Sequence, residues 1–291
     1  MTGLTDYSAK NVLNYISGLI PVPTTPSVFL ALFTAVGTDA GTGFTEVSGG
    51  SYARVQIAGT LTTNGTTSTS SAVINIASVP AWVVAGMTAY DRTTAVTLGT
   101  VQSTTGTTVT LTANSLGTVG NGDSIAFGAF PGASGSAPSS IVNGSIISFP
   151  QATASWGTVI AFGLYDASTS GNLLEWDFLG NFQWLPFEIP TASSTATVKA
   201  NGYASNDPIV FTAEYGGTLP TLSTGTMTGY TVNFVASPAT DTIGVDTTSG
   251  PATPIVTTSS GSGMVRKITQ QSIPSGVTAS FAASSMTLTL A

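Results

Sequence analysis

Glu175 and Asp177, in the run Glu175-Trp176-Asp177, are the closest carboxylate pair with aromatic neighbours in the chain. On an extended strand, positions i and i+2 share a face. A glycosidase works with two carboxylates about 5–9 Å apart around a sugar ring, so the spacing permits that chemistry. The less demanding reading is a solvated strand end, with cation binding as a third. The aromatics Trp156, Trp176, Phe178, Phe182 and Trp184 cluster in sequence. Aromatic faces stack on sugars or pack at interfaces, and they equally build the core of a β-protein. Core or subunit interface is the preferred reading.

Asp207, Asp241 and Asp246 lie in or near turn-rich sequence and could offer oxygen ligands to Ca²⁺. No D-x-D-x-D-G loop is present, and Asp in a turn commonly bonds its own backbone, so no metal is expected. Asn64-Gly65-Thr66 and Asn143-Gly144-Ser145 match the glycosylation pattern but are taken as Asn-Gly turns. Gly261-Ser262-Gly263 lacks the Lys-Ser/Thr of a phosphate loop. Arg54, Arg92, Arg266 and Lys267 are scarce cations in an acidic chain. Each is expected to pair with a particular carboxylate, within the fold or across an interface.

Composition narrows the chemistry further. The 291 residues include no Cys and no His, with 6 Lys+Arg against 13 Asp+Glu and a net charge of −7. This removes disulfides, thiolate nucleophiles, Ser-His-Asp triads and the usual zinc sites. Nucleic-acid binding needs a basic stripe, which six scattered cations do not make. Charged residues are 7% and hydrophobic residues 42%, which opposes disorder. No basic-then-apolar leader opens the sequence, and the longest apolar run, about ten residues around Val28 to Val36, is too short to cross a bilayer. The expectation is a protein made in a cytosol, binding neither membrane nor nucleic acid, and needing no cofactor.

The elements that position these residues read mainly as β. One helix of about 12 residues is signalled by Thr5 or Asp6 as N-cap, Val12, Leu13 and Ile16 at helical spacing, and Gly18 as C-terminal cap. Pro21, Pro23 and Pro26 would stop it. Its narrow apolar face is expected to dock it. Strands are expected over 27–33, 52–57, 107–111, 158–165 and 286–290, from apolar runs or period-2 alternation rich in β-branched residues. Ser/Thr/Gly/Pro-rich stretches at 60–72, 131–140 and 249–263 read as linkers or tight turns. The expected architecture is a β-sandwich-like core with one N-terminal helix and two inserted small β-domains. The core occupies 1–69, 133–189 and a closing strand in 269–291, and the insertions occupy 70–132 and 190–268.

The core pieces resemble a family of small phage virion proteins, often labelled tail-fibre proteins. The resemblance is carried by Leu4-Thr5-Asp6-Tyr7, Val28-Phe29-Leu30-Ala31-Leu32-Phe33-Thr34 and Thr38-Asp39-Ala40-Gly41. It continues through Thr45-Glu46-Val47-Ser48-Gly49-Gly50-Ser51-Tyr52-Ala53-Arg54, Phe149-Pro150 and Ala154-Ser155-Trp156-Gly157-Thr158-Val159. Phe162-Gly163-Leu164-Tyr165-Asp166-Ala167, Gly171-Asn172-Leu173-Leu174 and the closing Met286-Thr287-Leu288-Thr289-Leu290 complete it. The second insertion, with Asp207-Pro208-Ile209-Val210-Phe211, Gly216-Gly217-Thr218-Leu219-Pro220 and Gly229-Tyr230-Thr231-Val232, resembles a β-module recurring in phage structural proteins. The first, with Val84-Ala85-Gly86-Met87-Thr88 and Thr107-Thr108-Val109-Thr110-Leu111, resembles another.

The resemblance implies a non-enzymatic virion protein, assembled in the host cytoplasm. Two placements follow. The first expectation is a capsid decoration or cement protein on the head, since no coiled-coil or collagen-like repeat is present to build a shaft. The alternative is a tail-fibre or tail-accessory protein that helps attach to a host glycan. Expected partners are the major capsid protein or other virion proteins and further copies of the chain, as a trimer or dimer. Tyr52, Arg54, Trp156, Trp176 and Trp184 are the candidate interface residues.

Overall fold

A computed structural model describes residues 3–20, 27–133, 139–213, 216–225, 227–250 and 253–290. The strand Val28–Ala35 sets the architecture. Leu30 and Leu32 point to one face, Ala31 and Phe33 to the other, and all four are buried. A strand apolar on both faces belongs inside a layered structure. It lies within an 11-stranded antiparallel sheet. In spatial order this sheet runs Gly3–Leu4, Leu173–Phe178, Ala161–Tyr165, Val28–Ala35, Val55–Thr62, Ser124–Gly128, Thr88–Asp91, Val96–Thr104, Thr108–Leu111 and Val73–Asn75, with Thr45–Glu46 added beside Val28–Ala35.

The Val55–Thr62 strand joins two halves of that sheet. Its first part pairs with Val28–Ala35, and Ala58 to Thr62 pair with Ser124–Gly128. One hydrophobic cluster therefore runs from Leu30, Leu32 and Leu164 through Ile57 to Ile74, Leu98, Val109 and Phe127. Three two-stranded ladders supply further residues to it: Ser139–Val142 with Thr287–Leu290, Ile147–Gln151 with Thr278–Phe281, and Gly157–Val159 with Gln271–Ile273. Ile147, Phe149, Val159, Ile273 and Met286 are their buried contributions or neighbours.

Six strands, Leu185–Ile189, Ala196–Thr197, Thr242–Asp246, Asn233–Ala239, Pro208–Thr212 and Gly261–Lys267, close into a separate barrel. Closure leaves it no free edge. Its interior is filled by Phe187, Ile189, Val198, Ile209, Phe211, Val235, Ile243 and Val265. It packs on the second face of the large sheet, where Val210, Ile268, Tyr230 and Val232 meet Ala31, Phe33, Trp176 and Phe178. The protein is thus mainly β with one N-terminal helix.

Local details depart from the sequence expectations. The stretch read as one strand over 158–165 is two, Gly157–Val159 and Ala161–Tyr165, in different sheets. Ile160 sits at the crossing: its N–H donates to Phe33 O at 2.9 Å, and its carbonyl accepts from Leu179 N at 2.8 Å. Residues 52–54 lie outside the strand expected over 52–57, which starts at Val55. The stretch 60–72 is not a loose linker, since Thr63 and Thr67 form bridges to Ile76 and Val119. Residues 134–138 and 251–252 of the other two stretches, and Pro21, Pro23 and Pro26, lie outside the described residues.

The helix Asp6–Ile16 is capped as its sequence predicts. Thr5 is the N-cap, its Oγ1 accepting from Ser8 N at 3.4 Å and donating to Leu173 O at 2.6 Å. At the other end Gly18, with φ +76°, closes a Schellman turn: Gly18 N donates to Tyr15 O and Leu19 N to Asn14 O. The docking differs from expectation. Ser8 is the buried helical residue, whereas Val12, Leu13 and Ile16 are 39%, 64% and 72% exposed. Periodicity identifies an apolar face but not what stands opposite it. Here the backbone of Thr5 and Asp6 pins the helix start, donating to Leu174 O and Asp39 O, and the remainder extends beyond that anchor.

Candidate functional site

Two clusters bring together most of the residues singled out in the sequence. The first is built from the Thr45–Glu46 strand, the turn after it and the chain around 149–170. Positive φ at Gly49, Gly50 and Ser51 reverses the chain there. A Cβ on Gly50 would lie 3.0 Å from Ala154 N and O and from Trp156 Nε1, so the position is closed to larger residues. Trp156 Nε1 donates to Gly50 O at 2.9 Å.

The reversal delivers Tyr52 and Arg54 to Glu46. Arg54 Nε and Nη2 fork onto the Glu46 carboxylate at 2.9 and 2.7 Å. Its Nη1 donates to Ala167 O and Ser170 O, and the guanidinium lies 3.4 Å from the Tyr165 ring centre. Burial alone would lower the Arg54 pKa, but the hydrogen bond and charge of Glu46 outweigh it and raise it. Tyr52 donates to Glu46 Oε1 at 2.9 Å and accepts from Leu32 N at 2.9 Å. Burial, then the adjacent carboxylate, holds its phenol far above the ordinary range. Tyr52 also meets Trp156 edge-on at 5.3 Å and stacks on Phe149 at 6.0 Å. These groups are occupied with one another, which makes the cluster a clamp between distant stretches of chain rather than a reactive centre.

The second cluster lies between sheet and barrel. Trp176 is fully buried and meets Phe44, Phe178 and Tyr230 edge-on at 5.2 to 5.4 Å. Its Nε1 donates to Asp39 Oδ1 at 3.2 Å. Trp184 packs on Phe178 and Tyr230 at 6.3 Å. Beside them the buried Arg266 donates through Nη1 to Asp177 Oδ1 at 2.6 Å and through Nη2 to Gly180 O at 2.9 Å. Thus Trp156, Trp176, Tyr52 and Arg54 all make their contacts inside the chain.

Glu175 and Asp177 share the opposite strand face, as the spacing requires, but differ in surroundings. Asp177 is committed to Arg266. Glu175 is half-buried, and burial, reinforced by the Asp177 charge, pushes its pKa up to about 7. The pair is therefore not the solvated strand end that the sequence suggested. The three turn aspartates stand apart. Asp207 pairs with Lys267 at 2.8 Å, Asp241 with Lys199 at 2.9 Å, and Asp246 caps Thr248 N. Among the described residues no group of three or more carboxylates could hold a metal ion.

Asn143, which the sequence presents as a simple turn residue, does more than turn the chain. It is buried, donates from Nδ2 to Ser145 O and Ala282 O, both at 2.8 Å, and accepts from Met286 N through Oδ1. It fastens the last strand to the body. The Asn-Gly signal could not show this, because two of its partners lie 139 and 143 residues away.

The barrel carries an open cleft of about 440 Å³, lined by residues of the Leu185–Ile189 and Gly261–Lys267 strands together with Thr197, Lys199 and Gly217. Apolar surface from Pro186, Phe187 and Met264 makes up most of the lining, with Glu188, Thr197, Lys199 and Ser262 as its polar groups.

Residues 3–129 and 78–183 match the family described as podophage GP4 fiber I protein gp80, two overlapping stretches that together span well over half of the chain. The chain belongs to this family. No curated protein and no solved structure matches it. Membership makes it a structural protein of the phage virion. The gp80 match takes in the large sheet, the helix and the Arg54 clamp. It ends at residue 183, immediately before the first barrel strand, Leu185–Ile189.

Proposed function

We propose that this gp80-family protein is a non-enzymatic fibre component of the phage tail that contributes to attachment at the host surface. The observation that carries the reading is the fibre family match over residues 3–183. It favours the fibre placement over decoration of the head, the placement first expected from the sequence. In this reading the sheet body, fixed by the Glu46–Arg54–Tyr165 clamp, is the structural part. The barrel, packed on the body through Trp176, Phe178 and Tyr230, presents its cleft, where apolar Phe187 and Met264 adjoin Glu188, Thr197 and Lys199, to a surface glycan. Low charge leaves such contacts to hydrogen bonds and apolar packing, which salt screens little.

The test has two arms. Antibody against the purified chain, applied to intact virions and imaged, should label the tail; label spread over the head would return the reading to decoration. The full chain added to host cells before infection should slow phage adsorption. Unchanged adsorption at saturating protein would remove the attachment role.

A further inference from the structure

The barrel cleft of about 440 Å³ does not end at Glu188. A second cleft of about 400 Å³ shares Glu188, Thr197 and Ser262 with it and continues to Pro190, Thr218 and Ser260. Strand register explains the shared residues. Glu188 lies opposite Thr197 on one neighbouring strand and opposite Ser262 on the other, and residues directly opposite stand about 5 Å apart on one face. Pro186 and Glu188 are exposed, and they alternate with Phe187 and Ile189, which fill the barrel. The two clefts are therefore one groove, and where they meet a carboxylate stands between two hydroxyls.

The two halves differ in chemistry. In the larger, Pro186 lies opposite Met264, and Gly263 has no side chain to cover the Phe187 ring, since a Cβ there would stand 3.2 Å from Phe187 Cε1. Lys199 lines the same half. Its Nζ donates to Asp241 Oδ2 at 2.9 Å, which balances its charge and leaves further N–H groups to donate. Apolar surface, a carboxylate acceptor and an ammonium donor thus meet in one place. The smaller half carries the hydroxyls of Thr218, Ser260 and Ser262. Its wall is fixed, because Ser262 N donates to Thr218 O at 2.8 Å.

We infer that this groove takes a neutral glycan containing an N-acetylhexosamine, with the acetamido group in the Met264 half and the next sugar in the Ser260 half. The inference rests on the attachment reading and deepens it. An acetamido group brings an N–H for Glu188, a carbonyl for Lys199 and a methyl for Pro186 and Met264, so one substituent meets all three features. A ring hydroxyl offers no methyl, and the methyl of a deoxy sugar has no donor or acceptor. Acidic sugars are disfavoured, because Asp241 balances Lys199 and leaves the groove with the negative charge of Glu188 on a chain of net charge −7.

Titration of the full chain with N,N′-diacetylchitobiose, followed by ligand-observed NMR, should show saturation transfer strongest at the acetamido methyl. Cellobiose, the same disaccharide with hydroxyls in place of the acetamido groups, should bind roughly tenfold more weakly, and digalacturonate should not compete. Glu188→Ala alters an exposed side chain, so it should keep the unfolding midpoint while weakening diacetylchitobiose roughly tenfold. Met264→Ala should narrow the preference for diacetylchitobiose over cellobiose. No saturation transfer at about 20 mM sugar, equal binding of cellobiose, competition by digalacturonate, or a Glu188→Ala chain that binds as well as wild type overturns the inference. A chain that slows phage adsorption yet prefers neither disaccharide sinks this inference and leaves attachment standing. One that binds diacetylchitobiose through Glu188 without slowing adsorption supports the sugar site and removes the attachment role alone.

Discussion

The Arg54 guanidinium stacks 3.4 Å from the centre of the Tyr165 ring while its three nitrogens hydrogen-bond Glu46, Ala167 and Ser170. Stacking on one face and forking at the edge are available together only to a planar, delocalised cation. Arg54→Lys should therefore behave almost as badly as Arg54→Ala. Either leaves Glu46 without its fork and two loop carbonyls without a donor, and should cost about 3 kcal/mol. Urea unfolding of the three proteins checks this. A lysine variant within a few tenths of wild type would show that charge alone is what the site needs.

Gly163 lies where the Phe33 and Leu173 side chains close over the sheet. A Cβ there would stand 2.5 Å from the Phe33 ring and 2.7 Å from Leu173 Cδ1. Its backbone is not in the left-handed region, so the constraint is space rather than conformation. Gly163→Val should destabilise by about 1–3 kcal/mol through overpacking. Phe33→Leu combined with Gly163→Val should recover part of that loss, because the double variant vacates the ring volume. Thermal unfolding of the single and double variants measures the recovery.

Asp177 is the carboxylate of a pair whose cation is buried between sheet and barrel. Asp177→Ala leaves the Arg266 guanidinium without its charge partner in a low-dielectric setting and should cost about 3–5 kcal/mol. Replacing both, Asp177→Leu with Arg266→Met, removes the desolvated charges and should recover much of that loss. The damage should localise: hydrogen exchange should rise around Trp184 and Val210 before it rises around Ile74 and Val109. Uniform loss of protection in the single variant would show that the junction is not a separable contact.

Much of this arrangement was legible from residue types alone, because local rules are short-range. The caps at Thr5 and Gly18, the apolar strand after Ser27 and the alternation ending at Leu111 follow from nearest neighbours. The carboxylate partners of Arg54, Arg266 and Lys267 were also foreseeable, since a cation drawn out of water needs an opposite charge. What was not readable depends on distant chain. Nothing near Asn143 announces Ala282 and Met286, and nothing in residues 12–16 says that Val12, Leu13 and Ile16 are left exposed. The barrel strands illustrate the same limit: Leu185–Ile189 pairs with Gly261–Lys267, and no local pattern encodes that closure.

Glu175 should make stability depend on pH in the sense opposite to a salt-bridged carboxylate. Its pKa is raised in the folded chain from an ordinary 4.5 to about 7, by burial first and by Asp177 second. Below about pH 4.5 the group is protonated in both folded and unfolded chains and contributes nothing. Between pH 4.5 and 7 the unfolded chain gives up the proton while the folded chain keeps it, so the native state binds more protons and its stability falls as pH rises. Above pH 7 the penalty is complete, at most roughly 3 kcal/mol, since each tenfold change in proton affinity corresponds to about 1.4 kcal/mol. Glu175→Gln keeps the shape and removes the titration. The difference in unfolding free energy between the variant and wild type should thus be small at pH 4.5 and favour the variant at pH 8. Carboxylates remote from Glu175 are common to both proteins, so their titrations cancel in that difference. A difference independent of pH would place Glu175 in an environment no more costly to its charge than water.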